Sequence, residues 1–220
     1  MATVVITGAN RGIGLALTEQ LSRRGDTVIA ICRSASPELK ALDVRVVEGV
    51  DVSDGDSVKT LTETLSGVKI DVLINNAGIL RGSTLDDLNV DDMIAQYVVN
   101  SVGPLLVTQA LRGNLSSGGK VAIVTSRMGS MTDNSSGGHY GYRMSKAAVN
   151  MAGVSLAQDL KPEGVAVVLL HPGWVKTDMT SHNGLIEVDE SAEGMIKHID
   201  ALSLENTGTF WHTNGERLSW

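Results

Sequence analysis

Cysteine is nearly absent from this 220-residue chain, with Cys32 the one example. No intramolecular disulfide can form, and a cysteine-based metal site lacks its further ligands. Cys32 itself is expected to be a buried small hydrophobe and not a redox group. Long apolar runs are missing too, since no stretch approaches the ~18 residues that suggest a membrane span. The opening MATVVITGAN has no basic n-region and no small-residue cleavage site, so no signal or transit peptide is read there and a cytoplasmic location is expected. Positive charge is the scarcer sign, 18 Lys and Arg against 25 Asp and Glu, for a formal net charge of −7. Without long like-charge runs, nucleic acid and an anionic membrane surface are unexpected partners. Any anion site has to be built locally.

What the chain does have is a set of short apolar, β-branched runs at Thr3 to Thr7, Thr27 to Ile31, Val44 to Val47, Ile70 to Ile74, Val121 to Thr125 and Val165 to Leu170. They are nearly all apolar and do not alternate, the pattern of strands buried on both faces of a parallel sheet. Helix-period segments separate them: Ile13, Leu17 and Leu21 precede Gly25, placed at the C′ position, and Val58, Leu61 and Leu65 follow Ser53 and Asp56, read as a capping-box pair. Alternating βα units with right-handed crossovers predict an α/β fold, a doubly wound parallel sheet with helices on both faces. With 42% hydrophobic residues and no linker or repeat, residues 1–220 read as a single domain.

The first βα turn reads Thr7-Gly8-Ala9-Asn10-Arg11-Gly12-Ile13-Gly14. Its glycines let the backbone approach a pyrophosphate, and helix N-terminal N–H groups then face the anion. For NAD such a fold commonly carries an acid near the end of the second strand, but the sequence here is Ile31-Cys32-Arg33-Ser34. A guanidinium at Arg33, with Arg11 in the glycine loop, suits a 2′-phosphate instead, which predicts NADP(H).

Further along, Tyr142 and Lys146 stand at i and i+4 and share a helix face. Asn75-Asn76-Ala77-Gly78 ends the fourth strand and Ser126 ends the fifth. Together with the glycine-rich turn, these motifs resemble the short-chain dehydrogenase/reductase family along essentially the whole chain. The run His171-Pro172-Gly173-Trp174-Val175-Lys176-Thr177-Asp178-Met179 is similar to the subgroup that contains the Sniffer carbonyl reductase and the C-factor signalling proteins.

The resemblance implies a single Rossmann-type dinucleotide-binding and catalytic domain that moves hydride between NADP(H) and a small aldehyde, ketone or corresponding alcohol. Tyr142 would be the general acid/base, Ser126 a hydrogen-bond donor to the reacting oxygen, and Lys146 the residue that binds the nicotinamide ribose and acidifies the phenol. An unperturbed phenol titrates near ~10, and a nearby ammonium favours phenolate. Pro104 lies four residues after Asn100 and cannot donate a helical hydrogen bond to the Asn100 carbonyl. The family implies a water relay at that carbonyl, while the residues alone allow a simple kink.

On the cofactor side, the resemblance assigns Gly8, Asn10, Arg11, Gly12, Ile13 and Gly14 to the phosphates. Asp51 and Val52 would meet adenine, Asn76, Ala77 and Gly78 the adenine-ribose side, and Val175 and Thr177 the carboxamide, with Pro172 and Gly173 also among the cofactor-binding residues. Asp51 reads equally as a helix cap. Ser126 precedes Tyr142 by 16 residues, a wider spacing than the family more often has, so Ser130 stands as the fallback serine. Met128, Met131, Trp174 and Met179 are candidates for an adaptable apolar pocket, whereas His139 and His171 read as loop and strand-end residues. No metal site is expected. Apolar residues on more than one face of the helices around Met93 to Leu111 and Tyr142 to Leu160 suggest a homodimer. A dinucleotide-binding signalling protein with little turnover is the alternative, and an extended epimerase lacks room.

Overall fold

The computed structural model describes all residues, Met1–Trp220. Seven parallel strands form one sheet in the order β3-β2-β1-β4-β5-β6-β7. They are β1 Thr3–Thr7, β2 Thr27–Ile31, β3 Arg45–Val47, β4 Ile70–Asn75, β5 Leu115–Val124, β6 Ala166–His171 and β7 Thr209–His212. The helices are α1 Gly12–Arg23, α2 Pro37–Lys40, α3 Gly55–Thr64, α4 Val90–Tyr97, α5 Gly103–Leu111, α6 Tyr140–Leu160 and α7 Val188–Asp200. Six strands match the apolar runs of the sequence; the edge strand β7 was not among them.

Both faces of the sheet are covered, and neighbouring strand residues divide between two cores. Val4 and Ile6 of β1, Val28 and Ala30 of β2, and Ala122 and Val124 of β5 pack with Leu17 and Leu21 of α1 and Met195 and Ile199 of α7. Their neighbours Val5, Ile29, Ile31, Val121 and Ile123 pack on the opposite face with Val58 and Leu61 of α3, Val107 of α5 and Val149 of α6. This two-sided burial is why the strands read as continuous apolar runs. Cys32 is 3% exposed in the first core, the packing role expected of it.

Helix ends follow local chemistry. After α1, the Asp26 N–H donates to the Leu21 carbonyl and the Gly25 N–H to that of Ser22, the paired bonds of a Schellman stop. At α3 the expected Ser53–Asp56 box is replaced by Asp54, whose carboxylate accepts from the Asp56 N–H at 3.0 Å. Ser53 is drawn away because its N–H and hydroxyl both bind Asp51, at 2.9 and 2.6 Å.

The sheet order reverses direction between β1 and β4, with β2 and β3 to one side and β5, β6 and β7 to the other. All strands being parallel, the carboxyl ends of β1, β4, β5 and β6 share one edge, the place where open α/β sheets bind ligands.

Candidate active site

The turn from β1 into α1 is shaped by close backbone approach. A Cβ on Gly14 would stand 2.2 Å from the Gly8 carbonyl oxygen, so no larger residue fits there without moving the turn. Asn76 braces the same turn, donating from Nδ2 to the carbonyls of Thr7 at 3.0 Å and Gly8 at 3.2 Å. The Thr7 hydroxyl in return accepts the N–H groups of Asn76 and Ala77. Arg11 caps α1 without a side-chain hydrogen bond, which leaves the first-turn N–H groups for an anion.

A cleft of about 970 Å³ runs from this turn across the sheet edge to Tyr142 and Lys146, at the upper end of the ~300–1,000 Å³ typical of cofactor sites. Gly8, Asn10, Arg11, Gly12, Ile13 and Gly14 line it. Arg33, Asp51, Val52, Asn76, Ala77 and Gly78 do so further along, as do Pro172 and Thr177. The residues present therefore fit a dinucleotide. Gly173 and Val175 do not line the cleft: Val175 is 3% exposed, bridged to Ile186, because its segment pairs with the returning chain. Of the four apolar candidates only Met179 lines it, while Met131 and Trp174 face outward.

The charged residues are disposed unevenly. Arg33 is largely exposed and its guanidinium lies 3.9 Å from Asp51, a contact loose enough to leave most of its donors free. Arg11 instead meets the Asp178 carboxylate at 3.2 Å, across the cleft mouth, and His182 contacts the same carboxylate at 3.1 Å. Asp51 is not the α3 cap; its carboxylate is held well below the usual range by the Ser53 hydroxyl and N–H. Asp178 and His182 were missed by sequence reasoning, since nothing in their spacing reveals a contact with the glycine loop.

At the other end, Ser126 follows β5 and caps a 3₁₀ turn, Arg127–Gly129, accepting the Met128 N–H at 3.1 Å. That bond occupies an oxygen lone pair and leaves the hydroxyl proton for the facing Tyr142 oxygen. The turn rests directly on α6: a Cβ on Gly129 would be 2.6 Å from the Lys146 carbonyl carbon. This contact draws Ser126 to Tyr142 despite the long intervening loop. Ser130 accepts from the Asp133 N–H at 3.2 Å, a loop-forming contact.

Burial pushes the Tyr142 phenol up to about 12, and the facing Ser126 hydroxyl is the group that draws it back. Lys146 is pulled down to about 8 by burial, donates to the Val124 carbonyl at 3.0 Å, and sits 5.7 Å from the Tyr142 ring centroid. Desolvation outweighs the neighbouring charge at this phenol, which keeps its proton.

Asn100 is 1% exposed. Its side chain binds both backbone groups of Ile79 at 2.8 Å and the Ser145 hydroxyl at 3.0 Å, pinning the end of β4 to α6. Around it, Val98–Val102 adopts π-helical geometry just ahead of Pro104, where the sequence allowed a kink. His171 ends β6, where burial and the neighbouring His212 take it down to about 3.

The short chain dehydrogenase family model matches residues 2–185. The chain belongs to the short-chain dehydrogenase family. It is 43% identical over 226 residues to the 1-hydroxy-2-glutathionyl-2-methyl-3-butene dehydrogenase of Rhodococcus sp. (strain AD45), covering 100% of both chains. It is 47% identical over 154 residues to the C-signal of Myxococcus xanthus, covering 69% of this chain and 93% of that one. Among solved structures, the NADPH-bound carbonyl reductase from chicken fatty liver superposes with a TM-score of 0.90 at 33% identity, over 100% of this chain and 99% of that one. The carbonyl reductase Sniffer of D. melanogaster gives 0.91 at 28%, over 100% of each. This short-chain dehydrogenase is an oxidoreductase of the carbonyl-reductase type, and the resemblance to the Sniffer and C-factor subgroup holds.

Proposed function

We propose that this short-chain dehydrogenase is an NADP(H)-dependent reductase of small aldehydes and ketones, with Ser126, Tyr142 and Lys146 as its catalytic set and Asn100 as their support. The observation that carries the reading is a protonated, buried phenol at the end of a dinucleotide-sized cleft, with the buried Ser126 hydroxyl facing it. Bound NADPH supplies the hydride. Ser126 donates a hydrogen bond to the carbonyl oxygen, and Tyr142 transfers its proton to that oxygen as the carbon accepts hydride. Lys146, adjacent to the phenol and partly deprotonated near pH 8, takes part in restoring the proton. The carbonyl of Asn100, in the π-helical turn, is the station at which a water continues that relay.

NADP(H) is favoured by the exposed Arg33 at the end of the ribose side and by the NADPH held in the chicken enzyme. A homodimer is favoured by apolar side chains left exposed on adjacent helices, Val90, Ile94 and Tyr97 on α4 and Met144 and Met151 on α6. Residues 1–220 form one catalytic unit on this reading. The identity to C-signal favours a second reading, a dinucleotide-binding signalling protein. Following NADPH loss over a panel of aldehydes, ketones and quinones separates the two. Turnover supports the reductase; tight NADPH binding with none across the panel supports the signalling protein.

A further inference from the structure

One side chain that the reaction itself does not use reaches across the chain from Ser126 to Tyr142. Arg143, next to Tyr142 in the first turn of α6, donates from Nε to the carbonyls of Gly137 and Gly138, both at 3.2 Å. It also donates from Nη2 to the Ser136 hydroxyl at 2.8 Å and from Nη1 to the Met128 carbonyl at 3.4 Å. All its side-chain partners lie in that loop.

The segment it grips needs holding. Gly137, Gly138 and His139 are three consecutive left-handed residues, with φ of 64°, 61° and 49°. A left-handed conformation is strained for a non-glycine residue such as His139. Besides Arg143, the His139 N–H bonds to the Ser83 carbonyl at 2.8 Å, and the Arg143 N–H closes on the His139 carbonyl at 2.9 Å. The far half of the loop has its own anchors, Arg127 to Asp133 and Thr132 to the Trp220 carbonyl. In the half that leads into Tyr142, Arg143 makes three of the side-chain bonds, beside Asn134 on the Gly137 N–H.

We propose that Arg143 is a positioning residue that, together with the packing of Gly129 on α6, fixes the separation of Ser126 and Tyr142, doing for the long loop what chain closure does for a short one. Its fork reaches both ends of the loop, and on the Ser126 side it holds Met128, whose N–H donates to the Ser126 hydroxyl. A lysine lacks this planar fork and cannot make the same set of bonds. The inference rests on the catalytic reading of Ser126 and Tyr142.

Two measurements on the full-length protein test it. The first needs no turnover: amide exchange in wild type, Arg143→Ala and Arg143→Lys. Faster exchange at Met128 and Gly129, with the sheet amides unchanged, is expected for Arg143→Ala; unchanged protection at Met128 overturns the proposal. The second is kinetic. Misplacement of reacting groups by about 1 Å costs on the order of 10²-fold, so kcat should fall by that order with NADPH affinity within about twofold. Added guanidinium ion should restore part of kcat in Arg143→Ala, whereas Arg143→Lys should stay impaired. If kcat, NADPH affinity and thermal stability fall together without rescue, Arg143 is only structural and the proposal fails. Absence of turnover in wild type would sink the catalytic reading, while the exchange at Met128 would still decide whether Arg143 holds the Ser126 turn.

Discussion

On the proposed reading Arg33 sets the cofactor choice, and its environment sets the size of the effect. The side chain is 73% exposed and meets one carboxylate, Asp51, at 3.9 Å, so little else holds or neutralises it. A charge-assisted hydrogen bond contributes roughly 1.5–3 kcal/mol, and about 1.4 kcal/mol is a tenfold change in affinity. Arg33→Ala should therefore weaken NADPH by about 10- to 100-fold. The exposure places the result toward the lower end, because solvent screens the pair. Arg33→Asp goes further: it sets a second carboxylate beside Asp51, repels a 2′-phosphate, and offers an acceptor to the 2′-hydroxyl of NADH. The ratio of kcat/KM for NADPH to that for NADH should fall through Arg33→Ala to Arg33→Asp at fixed ionic strength. Arg11→Ala should change the ratio less, because Arg11 is engaged with Asp178. An unchanged ratio in Arg33→Asp would refute the assignment of Arg33 to the phosphate.

Three further outcomes follow from the geometry. Ser126→Ala should lower kcat on the order of 10²-fold, the usual loss of one donor to a developing oxyanion, with Ser130→Ala much milder; the reverse order in steady-state kinetics would reassign the serine. His171, held down to about 3 against an ordinary value of 6.5, is neutral in the fold, so below about pH 6.5 the unfolded chain takes a proton that the folded one refuses. Its contribution is complete above pH 6.5 and is lost as pH falls toward about 3; urea titrations of His171→Leu should show a flatter decline across that window, and an identical decline would remove His171 as its cause. Light scattering at micromolar concentration should give a dimer mass, and an Ile94→Glu, Met151→Glu double variant a monomer; a wild-type monomer defeats the α4–α6 interface.

How much of this was legible in the sequence depends on the range of the interaction. Strands β1, β2, β4 and β6 and the second half of β5 announce themselves because two-sided burial demands unbroken apolar runs. Strand β7, Thr209–His212, mixes polar and aromatic residues at a sheet edge where Phe210 alone is fully buried, and no run marks it. The cleft lining was legible at the glycine turn, where backbone conformation constrains residue type. The pairing of Val175 with Ile186, which sets that residue back from the cleft lining, has no mark in the sequence. The Ser53 cap failed because Asp54 takes the helix N–H while Asp51 engages Ser53. Arg143 looked like any helix arginine, since its partners exist only once the left-handed turn has formed. The direction of the Tyr142 shift was hidden for a similar reason: charge can be read from sequence, but burial depends on the packed site.

The central claim is that Tyr142 is the proton donor of this reductase. The most direct measurement pairs NADPH binding by fluorescence with turnover on the best carbonyl substrate for Tyr142→Phe, which removes the hydroxyl and keeps the ring. The account predicts NADPH affinity within about threefold of wild type, a shift of under one kcal/mol, and turnover reduced to background. Near-normal turnover in Tyr142→Phe would contradict it.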